Sequence, residues 1–135
     1  MNAFGQVTVR AALKAEILAK FAECLPVAFI IADQNGLIHL VNRQTELLFG
    51  YEQTELIGQP VEILIAETLR EVHVKHRADY MEEPHTRVMG SGLQLSARKK
   101  NGKEFLADIT FGPMITTDGM YVVVVVTRRR EDSLA

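Results

Sequence analysis

The chain has little excess charge, one cysteine, no long apolar run and no recognisable catalytic signature, and each shortage removes a class of function. Its 15 Lys and Arg against 17 Asp and Glu leave a formal net charge of −2, without the basic face of a nucleic-acid-binding module. The Arg128-Arg129-Arg130 run is short and terminal, suited to cap a strand end or open a linker. Cys24 stands alone, which excludes an internal disulfide and fits a reducing compartment. The apolar run Tyr121–Val126 is far too short to span a bilayer. Phe4, Gly5 and Gln6 precede a mixed-charge helix rather than a signal-peptide core. The expectation is a cytoplasmic protein, or the cytoplasmic piece of a larger one, without membrane insertion. No P-loop, G-x-S-x-G or metalloprotease signature occurs and the carboxylates are scattered, so no enzyme is expected. A length of 135 residues suits one domain with a real core.

What is present is clearest between Leu93 and Pro113, LQLSARKKNGKEFLADITFGP, two strand-like runs around Asn101-Gly102. Side-chain facing fixes the turn. A two-residue turn would pair Lys100 with Lys103 and set Leu95 opposite Asp108. A longer loop, Lys100-Asn101-Gly102 with Gly102 left-handed, pairs Lys99 with Lys103. Ala97 then meets Phe105, Leu95 meets Ala107, Leu93 meets Ile109, and Phe111 extends the same apolar face. A slip of one residue exchanges the faces, so the longer loop is the predicted one.

Around this hairpin, Val9 to Leu25 reads as an amphipathic helix with Leu13, Ile17, Phe21 and Leu25 in one stripe, ended by Pro26. Ala28–Ala32 and Leu37–Val41 form a second hairpin through Asp33-Gln34-Asn35-Gly36. Asn42 is placed to cap a helix over Arg43–Phe49 that stops at Gly50, and Gln53–Ile57 reads as a helical turn ending at Gly58. Ala66 to Glu83 is the longest predicted core helix, with Leu69, Val72, His73, His76 and Tyr80 on its buried stripe and Arg70, Glu71, Lys75 and Glu82 turned away. A histidine on such a stripe is most often a hydrogen-bonded core residue, and is otherwise a ligand. After Gly112-Pro113 and Asp118-Gly119, the run Tyr121–Thr127 reads as a strand covered on both faces. The long helix and its small neighbours should cover one face, and the N-terminal helix, or a partner's copy of it, the other. The predicted class is α+β, a five-stranded antiparallel sheet. Residues 1–26 would be a flanking helix, 27–130 the domain, and 131–135 a tail or the start of a linker.

Three pieces, AFIIADQNGLIHLVNRQTELLFGY, ELIGQPVEIL and HVKHRADYMEEPHTRVMGSGLQLSARKKNGKEFLADITFGP, resemble the PAS domain, the sensory module of bacterial histidine kinases, diguanylate cyclases and transcription regulators. The resemblance runs from Leu25 to about Arg130. It implies the PAS fold, no catalysis of its own, a small ligand in the cavity between sheet and helices, and homodimerisation through Leu13, Ile17, Phe21 and Leu25. Where the family often ends this last strand in Asp-x-Thr, Val125-Val126-Thr127 keeps only the threonine. The third piece is also similar to the oxygen-sensing, heme-binding PAS domains of sensor kinases. Laid without gaps, their heme-ligating histidine falls on His73, and positions lining the gas side fall on Leu93, Ile109 and Phe111. The resemblance thus implies a cofactor site of His73, His76, Tyr80, Leu93, Leu95, Ile109 and Phe111, with heme b as the candidate and His73 as iron ligand. Leu93 replaces the arginine that bonds oxygen in those sensors, so the distal side would be apolar and favour carbon monoxide or nitric oxide. A histidine here equally resembles PAS domains with no assigned cofactor, and a ligand-free dimerisation module is the third reading. Flavin is disfavoured, because Cys24 lies in the N-terminal helix and not in the helical block where the flavin photosensors carry theirs. Zinc through His73 and His76 lacks an obvious third ligand.

Overall fold

The computed structural model describes residues 11–82 and 94–129. Helix α1, Ala11–Cys24, leads into strands β1, Ala28–Asp33, and β2, Ile38–Val41. Helices α2, Arg43–Phe49, and α3, Gln53–Leu56, follow, then 3-10 turns over Val61–Leu64 and Glu67–Leu69 and helix α4, Arg70–Glu82. Strands β3, Gln94–Arg98, β4, Glu104–Thr116, and β5, Gly119–Arg128, complete an antiparallel sheet in the order β2-β1-β5-β4-β3. This is the predicted α+β arrangement, and the valine-rich strand β5 lies at its centre. No helix among the described residues is long and apolar enough to cross a membrane.

The hairpin register follows from the facing argument. Leu95 pairs with Ala107, Ala97 with Phe105 and Arg98 with Glu104. Lys99 N–H donates to the Lys103 carbonyl at 2.8 Å, and Gly102 sits at φ 89°. Leu93 lies outside the described residues. Strand β4 runs on through Gly112-Pro113 to Thr116. Among the described residues β3 pairs only with 104–108, so the prolyl nitrogen falls where β4 is bonded by β5 alone.

Alternation along β5 divides the hydrophobic interior in two. Val124 and Val126 face the helices together with Ile30, Phe49, Leu56 and Phe105. Val123 and Val125 face the other way, with Phe29, Ile31 and Tyr121. The leading helix reaches this outer face through its last turn: Ala22 is buried there and Leu25 packs beside it. Ile17, Leu18 and Phe21 are exposed, Phe21 to 56%. The side chain of Leu13 is outside the description.

One buried side chain ties these parts together. Asn42 caps α2 as predicted, its Oδ1 accepting from Thr45 N at 3.1 Å, and the helix ends at Gly50 with φ 80°. The same Oδ1 accepts from Phe29 N at 3.0 Å, while Nδ2 donates to the carbonyls of Ala22 at 2.8 Å and Val27 at 2.9 Å. The end of α1, the first residues of β1 and the start of α2 are therefore held by one amide.

Candidate functional site

A cavity of about 550 Å³ lies between the sheet and α4, within the range that holds small ligands and cofactors, ~300–1,000 Å³. Its floor is the inner face of the sheet: Leu95 from β3, Ile109 and Phe111 from β4, and Val122, Val124 and Val126 from β5. The opposite wall is polar, with His73, His76, Arg77 and Tyr80 from α4. Tyr80 crosses to Phe111 in an edge-on contact, ring centres 4.9 Å apart at 70°. All the predicted cofactor-site residues that are described line this one cavity; Leu93 lies outside the description.

The helical wall differs from the sequence expectation in two respects. The predicted single helix over 66–83 is a 3-10 turn followed by α4, and the inward stripe is rotated. Val72 faces solvent at 52% exposure, and His76 is exposed although it borders the cavity. Arg70 and Arg77 take inward places instead. Arg70, expected to face away, donates from Nε to the Ile65 carbonyl at 3.0 Å and from Nη2 to the Ile63 carbonyl at 3.4 Å, closing the end of the Val61–Leu64 turn. Arg77 reaches Glu62, with Nε to Oε2 at 3.0 Å and Nη2 to Oε1 at 3.4 Å.

Glu62 is the group on which this wall is built, and the sequence reading passed it over. It is a buried carboxylate within the apolar segment PVEIL. Burial pushes its pKa up, but the hydrogen bonds from His73 and Arg77 outweigh this and hold it below the ordinary value. His73 Nδ1 lies 2.7 Å from Glu62 Oε2. An ionised carboxylate only accepts, so Nδ1 carries a proton, and in the neutral imidazole the lone pair is then on Nε2. That is the state of a metal-binding histidine whose outer nitrogen is held by a carboxylate. Helix α4 supplies one donor atom for a metal and the sheet supplies an apolar opposite wall, so the residues present fit a heme. The core-histidine reading is satisfied too, because the imidazole is hydrogen-bonded whether or not anything binds.

Arg77 also lies across the first hairpin turn. Gly36 has φ 82°, and a Cβ built on it would come within 2.5 Å of Arg77 Nε. Gly36→Ala combines left-handed strain, about 1 kcal/mol, with displacement of a guanidinium paired to Glu62. Gly102→Ala has the same kind of strain (φ 89°), with its nearest contact at an ordinary 3.6 Å. Melting temperatures should rank wild type, then Gly102→Ala, then Gly36→Ala; equal losses would show that Arg77 contributes nothing there.

The model of the PAS fold family matches residues 16–129. The sensor protein FixL of Bradyrhizobium diazoefficiens is 30% identical over 97 residues, covering 72% of this chain and 19% of that protein. The oxygen sensor protein DosP of Escherichia coli is 25% identical over 97 residues, again 72% of this chain but 12% of that protein. The chain thus spans well under a quarter of either relative. Among solved structures, a PAS domain from a two-component sensor histidine kinase superimposes with a TM-score of 0.72 at 13% identity, covering 89% of this chain and 100% of that one. The Rhodobacter sphaeroides LOV protein gives 0.73 at 14%, covering 92% and 72%. The latter two likenesses concern the fold. With the family model matching most of the chain and sheet order, helical block and cavity in agreement, the chain belongs to the PAS family, the sensory domains of signalling proteins.

Proposed function

We propose that this domain senses through a ligand held between sheet and α4, and that the ligand is heme b with His73 Nε2 on its iron. The observation that carries the reading is the placement of His73, on the cavity wall, Nδ1 fixed by a buried carboxylate, opposite Leu95, Ile109 and Phe111. The similarity to an oxygen sensor protein over 97 residues supports it. When bound, the iron would supply a coordination position for a diatomic gas. The protein's part is to hold it from one side, exclude water from the other and pass any change in packing to the strands that carry the termini. The described residues opposite His73 that line the cavity offer no hydrogen-bond donor, which favours carbon monoxide or nitric oxide over oxygen. Purified protein titrated with hemin should give a saturable Soret band at one heme per chain, and on reduction should bind carbon monoxide more tightly relative to oxygen than a sensor with a distal arginine. No uptake by folded protein would end the heme reading.

Pairing of two chains through α1 is part of the same reading. Ile17, Leu18 and Phe21 form an exposed apolar strip at the edge of the outer sheet face, the kind of surface that marks an interface. Phe21→Asp should convert a dimer to a monomer in sedimentation measurements. Because the ring is exposed in the single chain, the melting temperature of the monomeric unit should barely change. A wild-type protein monomeric at high concentration would remove the motive for this surface.

A further inference from the structure

We infer that Glu62 is a positioning residue for His73, fixing its tautomer and, with Arg77, setting how strongly its imidazole donates electrons to a bound iron. The inference rests on the heme reading above and goes beyond it, because it concerns which residue tunes the site. The carboxylate is held in the short 3-10 turn Val61–Leu64, which also presents Leu64 to the core. Its Oε2 is shared: His73 Nδ1 at 2.7 Å and Arg77 Nε at 3.0 Å converge on the same oxygen. Both bonds are charge-assisted in a buried setting, where such contacts are short and strong.

The two donors compete for one negative charge. A full carboxylate on Nδ1–H draws the proton outward and makes the imidazole a stronger donor through Nε2, while a guanidinium on the same oxygen draws part of that charge away. The Val61–Leu64 turn therefore supplies a group that strengthens the iron–histidine bond, Glu62, and α4 one that restrains it, Arg77. An apolar residue at 62 would pack beside Val61 and Ile63 without the desolvation penalty of a buried charge.

The test has one reading without heme and two with it. In ligand-free protein at about pH 8, above the ordinary histidine range, nitrogen-15 NMR should find His73 protonated on Nδ1, against the usual Nε2–H preference of a free imidazole. An Nε2–H tautomer would overturn the orienting role. In heme-loaded protein, Glu62→Gln keeps the shape and removes the charge. It should weaken heme affinity roughly 10- to 100-fold, lower the iron–imidazole stretching frequency and raise the midpoint potential. Arg77→Met should shift the frequency and the potential in the opposite direction, because Glu62 then serves His73 alone. A Glu62 that merely packs would leave the frequency unmoved in the folded variants, and shifts of the same sign in both variants would also overturn the charge-sharing role. Wild-type protein that binds no heme sinks the heme reading and the tuning with it. Wild-type protein that binds heme, with a frequency indifferent to both substitutions, overturns the role of Glu62 alone.

Discussion

Replacing His73 by alanine should abolish the Soret band of hemin-loaded protein, whereas replacing His76 should leave it in place. The two histidines are three residues apart on α4 and both border the cavity, so composition alone does not separate them. Geometry does. His73 is oriented by the 2.7 Å bond to Glu62, while His76 is exposed and has no such fixed partner among the described contacts. Loss of an iron ligand should exceed the ~10- to 100-fold expected when only its outer partner is removed. The fold should survive His73→Ala, because Glu62 keeps both contacts to Arg77. The expected stability loss is that of one hydrogen bond to a charged group, about 1.5–3 kcal/mol. A Soret band that persists in His73→Ala and vanishes in His76→Ala would move the ligand to the other histidine.

The second large effect belongs to Asn42, and it concerns stability. Its amide is 1% exposed and bonded to Phe29, Thr45, Ala22 and Val27. Asn42→Ala deletes this network: Phe29 N keeps Thr45 Oγ1 and the Ala22 carbonyl keeps Leu25 N, but the Val27 carbonyl loses the donor it has here. Each lost bond costs roughly 0.5–1.5 kcal/mol and the carbonyl left without a donor adds about 1–3 kcal/mol, so the sum should be about 3 kcal/mol. That corresponds to a melting temperature lower by ~10 °C for a domain of this size. Asn42→Asp is the informative companion. It keeps the acceptor to Phe29 N and Thr45 N but removes both donors, and should therefore loosen the end of α1 specifically. Hydrogen exchange should quicken in the last turn of α1 more than in α2. Uniform acceleration would show that the amide supports the whole domain without linking its flanking helix.

The elements that could be read from sequence are those in which one periodicity decides. The β3–β4 register followed from the requirement that Leu95, Ala97, Phe105 and Ala107 share a face, and Asn42 and Gly50 marked the ends of α2 by their local chemistry. The orientation of α4 was less legible, because polar contacts override an apolar wheel there. Arg77 turns inward to reach Glu62 and lie over Gly36, and this carries Val72 out to solvent. A signal for Glu62 existed, a single charge between Val61 and Ile63 in an otherwise apolar segment. Only the fold brings it beside His73, eleven residues later in the chain. The continuation of β4 through Pro113 was hidden for a similar reason. A proline offers no ladder donor, and its place became readable only once β4 was seen to pair with β5 across Pro113 and Val122.

The alternation of β5 offers the most direct test of where a ligand binds. Methyl groups of Val122, Val124 and Val126 line the cavity, while Val123 and Val125 belong to the outer face. On titration with paramagnetic hemin, NMR signals of the first three should broaden first and the intervening two should persist longer. Equal broadening along the strand, or broadening confined to Val123 and Val125, would contradict binding between the sheet and α4.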